Sequence, residues 1–492
     1  MTHTLKERLR GVSLIFACGT ALFADGYSNG VISSVLTRIY GQDKIEAHDY
    51  GTVVRSVTFA GTVVGMILFG WLSDKMGRKF GMMTATGIVI LFSGLSAASN
   101  GAHGSLGGML SMLSAMRFFL GIGIGAEYPC GSVSAAEQSE EPGISKYAQH
   151  RWLALATDSM IDFGFVVAAF VPLVLVWIFG EDHLRAVWRL SLGLGMVPAL
   201  FVFLWRLNMD EPERFKMDSM KRAKIPYRLV FKRYWKSLAA ISFIWFLYDF
   251  IVYPFGIYST TILDNVTGGT DSLVVIFGWN VVINLFNMPG TVGGAFVLDY
   301  LGPKLTLIIG LVLQSLVGFI MSGLYVSRRA SNRFDKVVYG IFLSLGELGP
   351  GNCTIVLASK TSATAVRGQF YGVAAAVGKL GAFVGTWVFP PIIEAFGGSK
   401  TVRGNTGPFW IGSALALLNA FVTLFFVKPL SHDGLIEEDM AFRKYLEANG
   451  YDTAMMGLGS LNDSSSQLAA NAHIEMEVRT SGESEKEKVG CQ

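Results

Sequence analysis

The sequence is poor in charged residues and in cysteine. Asp, Glu, Lys and Arg make up 16% of its 492 residues, against about 25% in an average soluble protein. Its four cysteines, Cys18, Cys130, Cys353 and Cys491, do not resemble a disulfide framework or a zinc cluster. The net charge of +3 is too small to indicate nucleic-acid binding. Soluble, disulfide-stabilised and nucleic-acid-binding classes are therefore excluded.

Histidine is scarce inside the apolar segments. The seven histidines lie in tails, in loops or at the ends of predicted helices. Because histidine is a common general acid or base and metal ligand, this distribution argues against a membrane enzyme. We predict no enzymatic activity, no cofactor and no metal ion.

Apolar residues are abundant. Hydrophobic residues reach 51%, aromatic residues 12%, and the mean hydropathy is +0.45. About 20 consecutive apolar residues span a bilayer. Such runs occupy 11–38, 52–73, 80–98, 107–132, 152–179, 184–207, 237–262, 273–298, 304–326, 336–359, 368–395 and 406–428. The sequence predicts an all-α membrane protein with twelve transmembrane helices in two six-helix bundles, as in two-bundle transporters.

Polar segments divide the chain into five parts. We predict an N-terminal segment, a first bundle, a basic central loop, a second bundle and a tail, at 1–10, 11–207, 208–236, 237–428 and 429–492. Within the tail, 435–449 has the pattern of a short amphipathic helix. The residues beyond 462 are rich in Ser, Glu and Lys, which is typical of disorder. Cytoplasmic regulators would bind this tail.

The distribution of Lys and Arg predicts the orientation in the membrane. The segment 206–236 contains ten of them. Others precede the first span and follow the second, on the same side of the predicted bilayer. Since short cytoplasmic loops are enriched in Lys and Arg, both termini are predicted to be cytoplasmic, with a basic group at 328–333 as the exception. The sequon at Asn265 then lies near an outside loop.

Two polar markers recur at nearly the same offset. The pattern D-x-x-G-x-K occurs at Asp74–Lys79 and again at Asp299–Lys304, 225 residues later. Asp25 and Asp249, in the first and seventh spans, are 224 residues apart. The agreement of two independent markers indicates an internal repeat of six helices.

Charged residues inside the spans are functional candidates, because a charge in the bilayer is costly. They are Asp25, Arg117, Glu127, Asp158, Asp162, Asp249, Glu347 and Lys379, with Glu137 just beyond the fourth span. Ion pairing between helices could explain any one of them, but carboxylates outnumber cations seven to two. So many carboxylates cannot all ionise in a low dielectric, which makes them natural proton carriers. Arg117 and Glu127 lie about 15 Å apart along one helix and cannot pair directly.

Two further patterns concern single helices. Trp245, Asp249 and Tyr253 are spaced i, i+4, i+8, so they share one face of the seventh span. Packing is the alternative, but the central carboxylate favours a cavity-facing stripe. The glycine pattern 121–125 is not a dinucleotide loop, because no strand precedes it. We interpret it as close helix packing.

Several motifs resemble a known transporter superfamily. The segment 70–79 is similar to the loop motif of the major facilitator superfamily, and Arg117 with the glycines at 121–125 resembles its fourth-helix motif. Within the superfamily, 125–129, Ser134, Glu137, the stripe on the seventh span, 349–352 and 378–382 resemble the phosphate:proton symporters. The resemblance covers nearly all of 11–428 and implies the major facilitator fold.

A narrower resemblance is to the fungal glycerophosphoinositol permeases. It is carried by 125–132 and 358–364. Glu127 replaces the usual Asp of phosphate symporters, and Glu347 stands where a neutral amide is common. Asp158 and Asp162 occupy the neighbourhood of an expected glutamine. These departures favour the permeases over inorganic phosphate symporters.

The resemblance implies roles for individual residues. It implies proton coupling by Asp25, Arg117 and Glu127, and substrate contacts by Tyr128, Trp245, Asp249, Tyr253, Asn352 and Lys379. Conformational gating is implied for Gly70, Asp74, Gly77 and Arg78, and the repeat adds Asp299. We add two predictions of our own, proton coupling by Asp249 and a contact of Asp162 to a polyol head group.

The resulting hypothesis is proton-coupled uptake of a small anion, glycerophosphoinositol or glycerophosphocholine, across the plasma membrane by alternating access. The alternative is a symporter of inorganic phosphate or an organic acid. A nutrient sensor that no longer transports is a further alternative, suggested only by the long tail. The sequence leaves the head group open.

Overall fold

The computed structural model describes residues 5–37, 50–141, 143–258, 272–327, 332–398 and 401–457. Every regular element in these ranges is helical. The predicted sequon at Asn265, the tail beyond residue 457 and residues 328–331 of the basic group lie outside the described residues.

Six membrane spans form the N-terminal half. Span 1 joins two helices through a single 3₁₀ turn, and spans 5 and 6 each consist of two consecutive helices. Spans 1 to 6 comprise, in order, Leu5–Gly19 with Phe23–Thr37, Tyr50–Met76, Arg78–Ala97, Leu106–Glu127 with Val133–Ser139, Gln149–Ala156 with Asp158–Phe179, and Leu184–Gly193 with Met196–Arg206.

Span 7 begins the C-terminal half after a short helix, Glu213–Asp218, in the central loop. Tyr227–Ile257 forms span 7. Span 8 consists of Leu273–Leu285 and the part of Asn287–Ser327 before Gly302, and span 9 is the part after Gly302. The remaining helices are Asn332–Gly346 with Asn352–Lys360 for span 10, Arg367–Ala395 for span 11, Val402–Phe426 for span 12 and Gly434–Ala448 for the tail helix. The tail helix predicted at 435–449 is therefore present.

The described helices account for twelve crossings. Eleven stretches are long and apolar enough to span a bilayer, and one of them, Leu273–Gly323, has 51 residues. At 1.5 Å per residue it measures about 77 Å, more than twice the roughly 30 Å thickness of the hydrocarbon core. Gly302, with φ of 74°, breaks this stretch into spans 8 and 9. The predicted fold class is confirmed.

The two copies of D-x-x-G-x-K form the same turn. Gly77 and Gly302 both have positive φ, 123° and 74°, which favours glycine. Each glycine separates two antiparallel spans three residues after its aspartate. At the first turn Glu211 accepts hydrogen bonds from the backbone N–H groups of Arg78 (2.9 Å) and Lys79 (3.2 Å), and so caps span 3. Burial raises the pKa of the Glu211 carboxyl, against the opposing effects of Arg78 and these two N–H groups.

Spans 4 and 10 share a second irregularity. Each contains a π-helical turn, Tyr128–Ser132 and Glu347–Gly351. Pro129 and Pro350 lie within these turns, and proline removes the N–H that a regular helix requires. Because π-helical turns reorient side chains, they are frequent at functional sites. The two turns lie in equivalent spans of the two halves.

Small residues bring neighbouring spans close together. A Cβ on Gly121 or Gly125 would overlap the Thr58 or Thr62 carbonyl oxygen of span 2. This confirms the packing interpretation of the glycine pattern in span 4. Between the halves, a Cβ on Gly70 would lie 2.7 Å from the Gly368 carbonyl oxygen, so spans 2 and 11 also pack closely.

The start of span 7 differs from the prediction. Its helix begins at Tyr227 and not near residue 237. The exposed Arg228 and Lys232 lie on this extension. The apolar run marks the membrane-embedded part of a helix, and a helix that continues into water with charged residues extends past that run.

Candidate functional site

A cavity that contains several charged side chains lies between the two halves. Its wall contains residues of spans 4, 5, 7, 8, 10 and 11, and its volume is about 50 Å³. At roughly 10–15 Å³ per water on this measure, the cavity has room for a few water molecules. Among the described residues of its wall, Lys379 is the only Lys or Arg side chain.

Lys379 of span 11 is paired with two carboxylates from other spans. Its Nζ lies 3.1 Å from Asp25 Oδ2 of span 1 and 3.6 Å from Asp249 Oδ2 of span 7. All three side chains are at most 1% exposed. The predicted repeat partners Asp25 and Asp249 thus meet at one cation, between the halves.

Hydroxyl groups complete this Lys379 cluster. Tyr128 and Tyr253 donate to Asp25 Oδ2 at 2.6 and 2.8 Å, and Asn29 donates to its other oxygen at 2.7 Å. Lys379 also donates to the Tyr253 hydroxyl and lies 3.7 Å from the centroid of that ring. Both oxygens of Asp25 therefore accept hydrogen bonds, whereas Asp249 Oδ2 has only the ion pair with Lys379 among the described residues.

A second group, which we name the acid cluster, consists of Asp158 and Asp162 of span 5 and Glu347 of span 10. One carboxylate oxygen from each lies within 4.8 Å of the others. Tyr248 donates to Glu347 at 2.7 Å, and Thr291 donates to Asp162. Two ionised carboxylates at 4.8 Å repel by about 3 kcal/mol at an effective dielectric of about 20. The acid cluster can therefore hold protons or another cation.

The structure brings most of the predicted substrate contacts to one cavity. The wall contains Tyr128, Asp162, Trp245, Asp249, Tyr253 and Lys379. Asn352 is not in this wall. Its amide donates to the Thr291 carbonyl at 2.9 Å and to the Glu347 carbonyl at 3.0 Å, so it fastens spans 8 and 10 behind the acid cluster.

Glu127 does not join the Lys379 cluster. It forms an ion pair with Arg206 of span 6 at 2.8 Å and accepts a hydrogen bond from Thr86 at 2.7 Å. Arg206, counted in the sequence with the basic residues near the central loop, is the last residue of span 6, and its side chain is fully buried. A residue at the end of an apolar run can turn either into water or into the bundle, and only the fold decides.

Arg117 also lies apart from both clusters. It donates to the backbone carbonyls of Ser28 (3.2 Å) and Val54 (3.1 Å), which join spans 1, 2 and 4. Its partners therefore come from other helices, as its distance from Glu127 requires. The role of Arg117 and Glu127 in proton coupling stays a prediction.

A layer of ion pairs closes the face that carries the central loop, which we name the central-loop face. Asp74 of span 2 pairs with Arg78 at 2.7 Å. Across the halves it accepts hydrogen bonds from the backbone N–H groups of Gly368 and Gln369, both at 2.9 Å, and from the Gln369 side chain at 3.1 Å. Both charged side chains are fully buried.

The same layer includes residues that sequence reasoning did not assign to gating. Glu137 of span 4 bridges Arg78 (3.0 Å) and Arg367 of span 11 (3.1 Å). Asp439 of the tail helix accepts hydrogen bonds from the N–H and hydroxyl groups of Thr364 at 2.6 and 2.7 Å. The tail helix thus belongs to the closed central-loop face. The spacing of Asp439 and Thr364 in the sequence does not predict this contact, because it depends on tertiary packing.

The second copy of the motif makes a related contact. Asp299 accepts a hydrogen bond from the backbone N–H of Arg151, at the start of span 5, at 3.1 Å. Asp299 also lies with His150 and His432 in a group whose ligand-type atoms are within 4.8 Å, an arrangement that could hold a metal ion. Burial and the neighbouring Lys360 and Lys146 lower the pKa of His432.

The halves also meet at the opposite face. Trp387 of span 11 donates to Ser56 of span 2 at 3.0 Å. Arg55 of span 2 lies 5.2 Å from the centroid of the Tyr258 ring. In the part of the chain that the structure describes, the two halves therefore contact each other at both faces.

Two repeats of six spans around a central charged cavity define a multi-pass secondary transporter of the major facilitator superfamily. Solved structures share this fold. The proton:xylose symporter XylE of E. coli matches with a TM-score of 0.72 at 17% identity, over 89% of this chain and all of the other. The fucose:proton symporter FucP of E. coli matches with a TM-score of 0.58 at 14% identity, over 85% and 99%.

Sequence comparison defines the family within that superfamily. The model of the family described as "Sugar (and other) transporter" matches residues 12–224 and 215–442. The chain is 47% identical to glycerophosphocholine permease GIT4 of Candida albicans (93% of this chain, 86% of the relative). It is 34% identical to glycerophosphoinositol transporter 1 of Saccharomyces cerevisiae (94% and 87%) and 27% identical to inorganic phosphate transporter PT2 of Toxoplasma gondii (85% and 72%). The chain belongs to the sugar (and other) transporter family, and its resemblance to fungal glycerophosphodiester permeases is confirmed.

Proposed function

We propose that the protein takes up glycerophosphodiesters together with protons across the plasma membrane. The observation that carries this proposal is the buried Lys379 cluster, in a chain 47% identical to a glycerophosphocholine permease. Lys379 is the counter-ion for the phosphodiester, which has one negative charge. Tyr128, Trp245 and Tyr253 line the same cavity and supply hydrogen bonds and ring contacts.

Proton coupling follows from the charges around Lys379. With Asp25 and Asp249 ionised, Lys379 is already compensated, and an added anion meets excess negative charge. Two like charges 4 Å apart repel by roughly 4 kcal/mol at an effective dielectric of about 20, on the order of three powers of ten in affinity. Protonation of Asp249 removes this repulsion and frees Lys379 for the substrate. Substrate and proton therefore favour each other's binding by reciprocal linkage.

Movement of the halves is needed to admit the substrate. The cavity of about 50 Å³ holds a few water molecules, and a glycerophosphodiester is several times larger. The substrate-bound state therefore needs wider separation of the halves. We propose that the ion pairs of Asp74, Arg78 and Asp299 hold the central-loop face closed while the opposite face opens, and that they break in the other state.

We further propose that the central-loop face is cytoplasmic, since it carries the basic loop, and that regulators act through the tail helix. Asp439 gives such regulators a route to the gate, because it bonds Thr364 directly.

Uptake by cells that lack their own transporters tests the proposal. The full chain should import labelled glycerophosphocholine or glycerophosphoinositol faster than labelled inorganic phosphate. Uptake of phosphate alone would support the alternative symporter, and binding without any uptake or counterflow in proteoliposomes would indicate a sensor.

A further inference from the structure

The acid cluster has no role in the Lys379 mechanism, although it lines the same cavity. Its three carboxylates come from spans 5 and 10, with one oxygen of each within 4.8 Å of the others. Asp158 is only 5% exposed, and its Oδ2 has no hydrogen-bond partner among the described residues. A buried carboxylate oxygen without a partner is costly unless a ligand or a proton satisfies it.

The acid cluster lacks a cation of its own. Lys379 supplies the only Lys or Arg side chain in the described cavity wall, and it is already paired with Asp25 and Asp249. Three carboxylates in a low dielectric repel one another, so they retain charge only when a cation is shared among them. This favours a ligand with a positive charge over a neutral one.

The acid cluster directs several acceptor oxygens toward one point of the cavity wall. Asp158 Oδ2 and the Tyr248 hydroxyl lie 2.8 and 3.0 Å from the point where a Cβ on Gly351 would stand, and Glu347 Oε2 also faces that point. Oxygen atoms of spans 5, 7 and 10 thus converge over a bare glycine. The aromatic side chains of Trp245 and Phe255 also line the cavity, and aromatic rings bind quaternary ammonium groups.

We propose that the acid cluster binds the cationic head group of the substrate, a quaternary or primary ammonium, while Lys379 binds the phosphodiester. This inference rests on the proposed uptake of glycerophosphodiesters and narrows it to zwitterionic ones. Asp158, Asp249 and Lys379 line the same cavity, so the two clusters can act on one ligand. A polyol head group, which we predict from the sequence at Asp162, would leave bound protons as the compensation for the charge of the acid cluster.

Variants of the acid cluster give the first test. In proteoliposomes containing the full chain, kcat/KM is measured for glycerophosphocholine and for glycerophosphoinositol. Asp158→Asn and Glu347→Gln should each lower the ratio of kcat/KM for glycerophosphocholine to kcat/KM for glycerophosphoinositol at least tenfold, because only the cationic substrate loses a counter-charge. The exposed Asp210→Asn is the matched control and should leave the ratio unchanged. An unchanged ratio in both cluster variants would overturn the proposal.

Competition on the unaltered protein gives a test that does not depend on the folding of variants. Glycerophosphocholine and glycerophosphoethanolamine should each inhibit uptake of labelled glycerophosphocholine at concentrations at least tenfold lower than glycerophosphoinositol. Equal or stronger inhibition by glycerophosphoinositol would refute the cationic head-group site. If the unaltered protein took up none of these diesters, the proposed function itself would fail, and the two failures are thereby distinguished.

Discussion

Asp74→Asn is the sharpest perturbation of the closed central-loop face. The Asp74 carboxylate accepts three hydrogen bonds from span 11 and one ion-paired hydrogen bond from Arg78. An asparagine retains one acceptor oxygen and turns the other atom into a donor that faces the donors of Gln369. With the amide nitrogen in place of Oδ2, the two hydrogen bonds from Gln369 are lost, together with the negative charge.

The magnitude follows from these contacts. A hydrogen bond to a charged group contributes about 1.5–3 kcal/mol. Taking two bonds at the low end of that range, we expect the closed state to lose about 3 kcal/mol, on the order of a hundredfold in the equilibrium between closed and open central-loop faces. Turnover should fall, because return to the closed state slows, whereas substrate affinity should change much less.

Accessibility of an introduced thiol measures this equilibrium. Ser362 is fully buried beside the gate, so Ser362→Cys in a chain with Cys491→Ser reports opening through its rate of labelling by a membrane-impermeant reagent. Asp74→Asn should raise that rate at least tenfold in membranes that expose the central-loop face. Asp210→Asn removes an exposed carboxylate in the central loop and is the control. If labelling and turnover match the unaltered protein, the Asp74 contacts do not hold the gate.

Two further predictions concern the buried ion pairs. Lys379→Gln should abolish substrate binding while leaving surface delivery intact, and normal affinity in a binding assay would remove Lys379 as the counter-ion. Glu127→Gln should lower the free energy of unfolding by roughly 3–5 kcal/mol, because it leaves the buried Arg206 without its carboxylate partner. The additional change Arg206→Met should recover much of that loss in a thermal unfolding assay, and no recovery would show that the pair is not the cause.

Most of the fold could be predicted from the apolar runs and the recurring polar markers in the sequence. The twelve spans follow from segment length and hydropathy, and the repeat predicted from Asp74 and Asp299 is visible as two glycine turns, at Gly77 and Gly302. Helix ends were less accessible to prediction, as span 7 shows, because charged residues can extend a helix into water. The boundary between spans 8 and 9 is a single glycine, Gly302, because the apolar sequence continues on both sides of it.

The candidate site was predictable as a set of residues but not as a set of pairs. Asp25, Asp249 and Lys379 were each singled out because a charge inside the bilayer is costly, and the structure brings them together. The pairing of Glu127 with Arg206 was missed, because partners on different helices have no fixed spacing in sequence. The convergence of Asp158 and Glu347 was missed for the same reason.

The pH dependence of uptake tests the central claim most directly. Initial rates of labelled glycerophosphocholine uptake are measured from external pH 5 to 8, with and without a protonophore, for the unaltered chain and for Asp249→Asn. We expect uptake by the unaltered chain to rise as external pH falls and to collapse with the protonophore. Asp249→Asn, which mimics the protonated carboxyl group, should retain some affinity and lose the pH dependence. Uptake that responds to neither pH nor protonophore would show that the protein is a uniporter or an exchanger and would contradict proton coupling.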